Sequence, residues 1–342
     1  MSGRRRRLTS RTPDFNPPMP DQVLAFIDKY RSFILTTHDP ADADGLGAEL
    51  VFAAILKSRK KKARIINAGP VPELFRFMDP KKLIEQWDAG AHSALFEKSA
   101  LLILDTSDEY NIGAIRSVIA GAQDIFVVDH HEPKPFSTLG GLIDSSAAAT
   151  CELAVEIAGA AGLTLDADTA RAAYTGLVYD TGFFAYSKTT LRTFTAARAL
   201  IERKVVPYDV YRRLNENAST GALLLQKQVL STLELYAGGT VAVQLMRKED
   251  LAATGAHFED AEGFINIPMR AREVTVSILI KENTEGKVRC SLRSKGRVNV
   301  SKIAQSFGGG GHVSAAGFKS DKNIEETLKE VIEIIQTHLD SV

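Results

Sequence analysis

Short apolar runs alternate with stretches of helical spacing over the first half of the chain. Strand-like runs are predicted at 33–37, 63–67, 101–105, 125–129 and 141–143. Helical spacing is predicted at 21–32, 47–62, 112–120 and 147–160, and in pieces between 70 and 96. Because strands that alternate with helices form right-handed βαβ units, this half is predicted to be an α/β domain with a parallel sheet covered on both faces.

The second half has two different patterns. Residues 168–235 are predicted to be helical, with breaks at Gly182, Pro207 and near Ser219. After Gly238 the runs TVAVQLM, REVTVSILIKE and KVRCSLRSK predict strands, followed by helices in VNVSKIAQSF and NIEETLKEVIEIIQTHL. We therefore predict a disordered basic tail (1–20), a parallel-sheet domain (21–185), a helical connector (186–236) and a smaller α+β domain (237–342).

Acidic and imidazole side chains stand where the apolar runs of the first half end. The first run leads to His38, later runs end at Asp105 and at the DHH triplet from Asp129, and Asp180 is predicted to end a helix. Ligands of open α/β sheets bind at the carboxyl ends of the strands, so these side chains are expected to converge. The candidate metal ligands are His38, Asp42, Asp44, Asp105, His130 and Asp180.

A cluster of carboxylates is stable only with compensating charge. Packed carboxylates repel one another and shift their pKa values upward, whereas divalent cations make the same cluster favourable. Six ligands are too many for one ion with open positions. They fit a two-metal site with one bridging carboxylate and a water.

Composition limits the remaining classes of protein. The chain has 342 residues, 44% hydrophobic, 25% charged and a formal net charge of zero, which predicts a globular protein with no overall field toward nucleic acid or lipid. Cys151 and Cys290 lie far apart, which argues against disulfides and zinc and for the cytoplasm, with Cys151 in the core. No apolar stretch approaches the roughly 18 residues of a membrane span. The tail, basic at Arg4 to Arg7, lacks the apolar segment of a secretory signal.

A glycine run in the second domain predicts an anion site. Gly45-x-Gly47 does not fit a dinucleotide-binding loop, because position 50 is Leu and the preceding loop is acidic. The run GGGGH is not a Walker A loop, since no Lys-Ser/Thr pair follows it. Glycines let backbone N–H groups approach an anion, and charged neighbours add hydrogen bonds. The predicted phosphate site comprises Arg293, Ser294, Gly308, Gly309, Gly310, Gly311 and His312.

The motifs HDPADADG, LDTSD, VVDHHE, GLVYDTG and RSKGRVNVSKIAQSFGGGGHVSAAG, taken in this order, resemble those of the DHH phosphoesterase superfamily with its DHH-associated C-terminal domain. The resemblance runs from about Phe33 to Phe318, and within the superfamily the chain is most similar to the nanoRNase group. It implies an active site in the cleft between the two domains. It also implies hydrolysis of short oligoribonucleotides to mononucleotides and of 3'-phosphoadenosine 5'-phosphate (pAp) to AMP.

The resemblance also assigns roles to single residues. It implies that His38 and Asp42 hold one metal, that Asp44, His130 and Asp180 hold the other, and that Asp105 bridges them. Asp129 would orient His130, and His131 would face the substrate phosphate. Arg293, Ser294 and His312 would hold phosphate or the terminal nucleotide. The chain departs from the family pattern at Ala41, Ala43 and Ala48, none of them a ligand, and in SSAAAT, where the usual serines are fewer.

Mixed imidazole and carboxylate ligation favours manganese over magnesium, with cobalt as a further option. Short single-stranded RNA or small nucleotides are the expected partners, and a homodimer is compatible with the architecture. Three alternatives stay open: a pApA or cyclic-dinucleotide phosphodiesterase, a family-II-like pyrophosphatase, which would lack GGGGH, and a non-catalytic nucleotide-binding module, which would lack ligands. All six ligand positions are intact in this chain.

Overall fold

The structure is a computed structural model that describes residues 20–132 and 139–339. The predicted disordered tail lies outside the described residues except for Pro20. The helices are α1 Pro20–Lys29, α2 Ala43–Ser58, α3 Ala89–Phe96, α4 Thr150–Ala160, α5 Ala167–Asp180, α6 Leu191–Ile201, α7 Pro207–Asn215, α8 Thr220–Ser231, α9 Lys248–Thr254, α10 Val300–Ser306 and α11 Ile324–Leu339. The strands are β1 Ser32–Thr36, β2 Lys62–Asn67, β3 Ile84–Gln86, β4 Ala100–Leu104, β5 Ile125–Asp129, β6 Gly141–Ile143, β7 Glu234–Tyr236, β8 Val241–Met246, β9 Val276–Glu282, β10 Val288–Ser294, β11 Gly310–His312 and β12 Ala315–Ser320.

The chain separates into two compact units, with the boundary between Leu214 and Asn215. Helix α6 packs on α4 and α5 in the first unit, whereas α8 packs on α9 in the second. The predicted breaks lie at helix boundaries: Gly182 follows α5, Pro207 begins α7 and Ser219 precedes α8. A separate connector at 186–236 stays a prediction. Within the described ranges, no helix combines the length and apolar character that crossing a membrane requires.

The first unit is built on six parallel strands in the order β3-β2-β1-β4-β5-β6. Strand side chains alternate between the two faces, so Phe33 and Leu35 pack beneath α2 while Ile34 packs toward α3. Both faces are therefore buried, which explains why β4 is apolar at every position and β1 at its three central positions. The predicted α/β fold with a covered parallel sheet is confirmed.

Helix α2 is more deeply buried than its predicted amphipathic character implied. Its buried residues lie on all sides, because β1 and β2 cover one side and α4 and α5 cover the other. A helix that is apolar around its whole circumference belongs inside a core. The helix also begins at Ala43 rather than near Gly47, because the Asp42 side chain caps it by accepting from the Asp44 and Gly45 N–H groups.

The prediction of an α-helix at 112–120 is wrong. The segment consists of 3₁₀ turns at Glu109–Ser117 and Ile119–Gly121, and Gly113 interrupts the first with φ of 57° and ψ of −137°. A Cβ atom at Gly113 would lie 2.7 Å from the Ala68 side chain. Buried Ile112 and Ile115 are three residues apart, a spacing that an α-helix and a 3₁₀ turn share, so this pair could not distinguish the two.

The second unit has a six-stranded mixed sheet in the order β11-β12-β10-β9-β8-β7. Among the described strands of this sheet, only β8 and β9 pair in parallel. Helices α10 and α11 pack on one face, and α8 with 3₁₀ turns packs on the other. The predicted hairpin of β9 and β10 and the α+β character of this unit are confirmed.

Candidate metal centre and phosphate site

The strand order of the first sheet places a crevice at the carboxyl ends of β1 and β4. The chain adds β2 and β3 on one side of β1 and then crosses to β4 on the other side, so the connections diverge between these two strands. Such switch points are where open α/β sheets bind ligands. His38 follows β1, Asp105 follows β4, and His130 follows β5, so all three lie at this edge.

His38, Asp42 and Asp105 form a first group of ligand-type side chains. The His38 Nε2 atom lies 3.5 Å from a carboxylate oxygen of Asp42 and 3.5 Å from one of Asp105. Asp105 adopts φ of 63°, a conformation that few residues with a side chain adopt, and its backbone N–H donates to the Val128 carbonyl. The strained backbone at the end of β4 thus fixes the direction of the Asp105 carboxylate.

Asp44, His130 and Asp180 form a second group. His130 Nε2 lies 3.0 Å from Asp180 Oδ2, 3.5 Å from Asp105 Oδ1 and 3.8 Å from Asp44 Oδ2. Asp44 lies in the first turn of α2, and Asp180 is the last residue of α5, as predicted. Both groups could each hold a metal ion, and Asp105 contacts histidines of both.

The tautomer of His130 fits a metal ligand. Its Nδ1 atom lies 3.4 Å from the Ala147 carbonyl, to which an Nδ1–H group can donate. Its Nε2 atom is buried and has no hydrogen-bond partner among the described residues, although three carboxylates face it. A buried nitrogen that faces three carboxylates without making a hydrogen bond is costly, and a cation placed among them would satisfy it. The residues present therefore fit a divalent metal ion.

The electrostatics of the cluster point the same way. Burial together with the Asp105 and Asp180 carboxylates raises the pKa of Asp44 well above its ordinary value, and burial also raises the pKa of Asp105. Burial lowers the pKa of His38 and His130, but neighbouring carboxylates outweigh it and raise these pKa values to about 11 and about 9. The cluster therefore attracts protons in the absence of other cations, and divalent ions compete for the same positions.

His131 and Asp129 form a pair beside the cluster. Asp129 Oδ1 lies 2.8 Å from His131 Nδ1 and also accepts from the His131 backbone N–H. This hydrogen bond raises the pKa of His131. The expected contact between Asp129 and His130 is not made, which corrects that prediction: the Asp129 carboxylate turns back toward the second histidine, and the Ala147 carbonyl orients the first.

Four contacts to the cluster were not foreseen from the sequence. Thr150 donates from its hydroxyl to Asp105 Oδ1 (2.8 Å) and from its backbone N–H to Asp44 Oδ2 (2.5 Å), and Cys151 N–H donates to Asp44 Oδ1 (2.8 Å). The amino end of α4 therefore holds the Asp44 carboxylate, which suits the helix dipole. Lys188 Nζ lies 3.5 Å from the His130 carbonyl oxygen. The only sequence signal for Thr150 was its hydroxyl group, at the end of the run SSAAAT.

Arg293 and His312 lie on the same face of the second sheet. Both pair with Ala315 of β12, Arg293 from β10 on one side and His312 from β11 on the other. Residues directly opposite in a sheet project to the same face, so the small Ala315 side chain separates the two cationic positions. Arg293 is half-buried and His312 is exposed. Ser294 is buried, and its hydroxyl accepts from the Gly296 N–H.

The fold itself accounts for part of the glycine run. The N–H groups of Gly308 and Gly309 donate to carbonyls of α10, so they are not available to a phosphate. The predicted phosphate site therefore loses these two backbone donors. Cβ atoms at Gly309 and Gly311 would lie 2.3 Å and 2.5 Å from carbonyl oxygens of β12, whereas one at Gly310 would meet nothing within 4 Å. Gly310 and Gly311 lie in β11 rather than in a loop.

Two family models match this chain. The model for the DHH family, N-terminal domain, matches residues 32–177, and the model for the DHHA1 domain matches residues 238–337. Each match falls within one of the two compact units. The first contains the complete DHH triplet at Asp129 to His131, and the second contains the glycine run.

Similar proteins cover almost the whole chain. The bifunctional oligoribonuclease and PAP phosphatase NrnA of Thermus thermophilus is 28% identical over 311 residues, covering 89% of each chain. The cyclic-di-AMP phosphodiesterase PdeA of Listeria monocytogenes is 27% identical over 88% of this chain but only 47% of its own length. The crystal structure of an exopolyphosphatase-related protein from Bacteroides fragilis superposes with a TM-score of 0.85, at 25% identity, covering 94% of this chain and 97% of that one. The chain therefore belongs to the DHH phosphoesterase family and carries its DHHA1 domain.

Proposed function

We propose that this protein is a metal-dependent phosphoesterase that hydrolyses short oligoribonucleotides to mononucleotides and pAp to AMP. The observation that carries this proposal is that six side chains form two groups that could each hold an ion, with Asp105 of the first group 3.5 Å from His130 of the second. The name of the Thermus thermophilus relative states oligoribonuclease and PAP phosphatase activities, and it supports this substrate class. Enzymes with two adjacent ions commonly hydrolyse phosphate esters.

The proposed ligands divide as the two groups do. His38 and Asp42 hold one ion, Asp44, His130 and Asp180 hold the other, and Asp105 reaches both. Divalent ions at such positions activate water and neutralise phosphate oxygens when they are bound. The mixture of imidazole and carboxylate ligands favours Mn²⁺, with Mg²⁺ and Co²⁺ as the alternatives that a metal panel must include.

His131 is the residue we assign to the substrate. With Nδ1–H donating to Asp129, its Nε2 atom is directed away from that carboxylate, and the side chain is 56% exposed. A protonated ring donates from Nε2 to a phosphate oxygen, and the Asp129 carboxylate stabilises the charge that the ring carries. Thr150 keeps Asp105 oriented through its hydroxyl hydrogen bond.

The second unit supplies recognition in this proposal. Arg293 and His312 contribute donors on one sheet face, and Gly310 leaves open space beside them. A substrate with a second phosphate group would meet these donors, which favours pAp and very short oligonucleotides over long chains.

A pApA or cyclic-dinucleotide phosphodiesterase is the second candidate. The similarity to the Listeria monocytogenes cyclic-di-AMP phosphodiesterase favours it as a related activity. Both candidates use the same metal centre and differ in the nucleotide that is held.

Cytoplasmic location, which the two free buried cysteines support, and a homodimer complete the proposal. Light scattering of the purified protein tests the dimer.

A substrate panel tests the proposal. Purified protein is assayed with pAp, pApA, RNA of two to five nucleotides, single-stranded DNA and pyrophosphate, each with Mn²⁺ and with chelator. Release of mononucleotides from short RNA and of AMP from pAp, only with metal, is expected. Hydrolysis of pyrophosphate alone, or no turnover by fully metallated protein, would contradict it.

A further inference from the structure

A basic groove lies at the amino ends of the parallel strands of the first sheet, and the metal centre lies at their carboxyl ends. It has a volume of about 920 Å³ and is lined by residues 31–34, 59–64, 95, 98 and 99, where β1, β2 and β4 begin. The candidate metal ligands lie beyond the opposite ends of β1 and β4. Five residues of extended strand span about 17 Å, so this groove is separate from the metal centre.

The charged side chains that line this groove are all positive. Arg31, Lys60, Lys62 and Lys98 are exposed and make no ion pair within the described part of the chain. No carboxylate is among the described lining residues. Because the formal net charge of the whole chain is zero, this concentration of positive charge is local. Such a field attracts a polyanion.

Three more cations line the groove, and ion pairs partly neutralise two of them. Arg59 pairs with Asp28 (2.7 Å), and Arg64 pairs with Glu85. Lys61 donates to the carbonyls of Asp28 and Tyr30. These contacts hold the walls of the groove in place, and Lys61, whose carbonyl partners are uncharged, adds its positive charge to that of the four unpaired side chains.

The convergence comes from three separate parts of the chain. The helix dipole of α2 accounts for basic residues such as Lys57 and Lys60 at its carboxyl end. It does not account for Arg31, between α1 and β1, or for Lys98, between α3 and β4. Because β1, β2 and β4 are parallel, the connections that precede them meet at the same end of the strands. Ser32 and Ser99 add hydroxyl groups between them, 2.9 Å apart.

We propose that this groove binds the phosphate backbone of single-stranded RNA independently of the metal centre. The choice of RNA rests on the proposed function, whereas the anionic nature of the ligand rests on the charge of the groove. A concave site is poorly suited to a membrane, and its apolar lining residues Phe33 and Ile34 are buried. No exposed aromatic side chain lines the described groove, so the expected contacts are to phosphates rather than to stacked bases.

The consequence for the enzyme is added affinity for RNA that is longer than the very short substrates favoured by the second unit. A strand held in the groove stays close to the protein while its end is released and captured again, which raises the effective concentration of that end. The groove cations do not contact the reacting phosphate. They therefore affect the KM for RNA long enough to reach the groove, and leave hydrolysis of pAp unchanged.

The test compares two variants with equal charge change. The groove variant carries Arg31→Gln, Lys60→Gln, Lys62→Gln and Lys98→Gln. The matched control carries Lys204→Gln, Lys227→Gln, Lys248→Gln and Lys329→Gln, all exposed and outside the groove. Binding of a fluorescent 20-nucleotide single-stranded RNA is measured by anisotropy in chelator, which prevents cleavage, over a series of salt concentrations.

The groove variant is expected to bind this RNA at least about tenfold more weakly than the control at 0.1 M salt. The slope of log K against log salt should become shallower by about 0.7 for each cation that contacts a phosphate, or about 2.8 in total. A second variant, Lys60→Gln with Lys98→Gln, leaves all strand residues intact and should show half of that change. Equal affinity of all variants would overturn the proposal.

Two further measurements, of pAp hydrolysis and of binding to lipid vesicles, distinguish the remaining explanations. Hydrolysis of pAp by the groove variant should equal that of the unaltered protein. If the unaltered protein hydrolyses neither pAp nor short RNA, the proposed function fails, while the binding result still decides the groove. Vesicles containing phosphatidylserine test a lipid ligand: groove-dependent binding to vesicles without binding to RNA would overturn the assignment to RNA.

Discussion

At the scale of single residues, the metal centre depends on contacts that fix its carboxylates. Asp105 accepts from Thr150, and Asp44 accepts from two N–H groups at the start of α4. These donors restrain both carboxylates before any ion binds, which is the preorganisation that metal sites need. Residues around the ligands should therefore matter almost as much as the ligands themselves.

Replacement of Thr150 tests this restraint. Thr150→Val removes the hydroxyl donor to Asp105 with little change of volume, whereas Thr150→Ser keeps it. A hydrogen bond to a charged group contributes roughly 1.5–3 kcal/mol, so Thr150→Val should lower kcat/KM or metal affinity by about tenfold or more. Steady-state kinetics and metal titration calorimetry measure both. Equal behaviour of the two variants would remove Thr150 from the site.

Replacement of Asp105 tests the shared ligand. Asp105→Asn keeps the size of the side chain but removes the charge that faces both histidines. Turnover of every substrate, pAp and RNA alike, should fall by at least about a thousandfold, because both ions lose a ligand. Elemental analysis should show reduced metal content, with circular dichroism confirming the fold. Full metal content together with normal turnover would contradict the assignment.

At the scale of elements, the centre depends on the close packing of α2, α4 and α5. Gly47 of α2 and Gly176 of α5 both lie against the Cys151 sulfur of α4. A Cβ atom at Gly176 would lie 2.5 Å from that sulfur and 2.7 Å from the Ala43 carbonyl. Small residues thus allow three helices to meet beside Asp44, and the predicted core position of Cys151 is confirmed.

Two glycine substitutions separate packing from helix propensity. Gly176→Ala should destabilise the protein by about 1–3 kcal/mol through overpacking and should weaken metal binding, because it pushes on Asp44. Gly159→Ala, where an added Cβ would meet nothing within 4 Å, should be neutral or stabilise α4 by up to about 1 kcal/mol. Denaturant unfolding of both variants compares them. A stable Gly176→Ala protein with normal metal affinity would contradict the packing account.

At the scale of the whole molecule, metal binding and stability are linked. Ligands that bind only the folded state stabilise it by about 2.7 kcal/mol at a hundredfold excess over Kd. Removal of metal should therefore abolish turnover and lower the Tm, and adding Mn²⁺ back should restore both. Differential scanning calorimetry with a Mg²⁺, Mn²⁺ and Co²⁺ series ranks the ions. An unchanged Tm in all of them would argue against an ion in the cluster.

The division of labour between the two units is a second prediction at this scale. Arg293→Gln should raise the KM for pAp and dinucleotides by about tenfold or more, since a charged hydrogen bond to phosphate is lost. Turnover of a small ester with a single phosphate should stay normal, because the metal ligands lie in the first unit. Lys319→Gln, an exposed change in the same sheet, is the control. Equal loss on both substrates would contradict this division.

The sequence by itself determined the type and order of most elements and the set of metal-ligand candidates. Strands β5 and β6 match the predicted ranges, and Asp180 ends a helix as predicted, since uninterrupted apolar runs and their polar ends are local signals. The predicted family is confirmed by the domain matches, because motifs such as DHH depend on residue order alone.

Only the tertiary structure decided which of these residues meet and what holds them. The 3₁₀ turns around Gly113, the burial of α2 on every side, the Asp129–His131 pair and the Thr150 contacts depend on neighbours that are distant in sequence. The same holds for the basic groove, because parallel strand order brings Arg31 and Lys98 to the edge where Lys60 and Lys62 lie. Local patterns specify elements, whereas contacts between elements follow from how the whole chain buries its apolar surface.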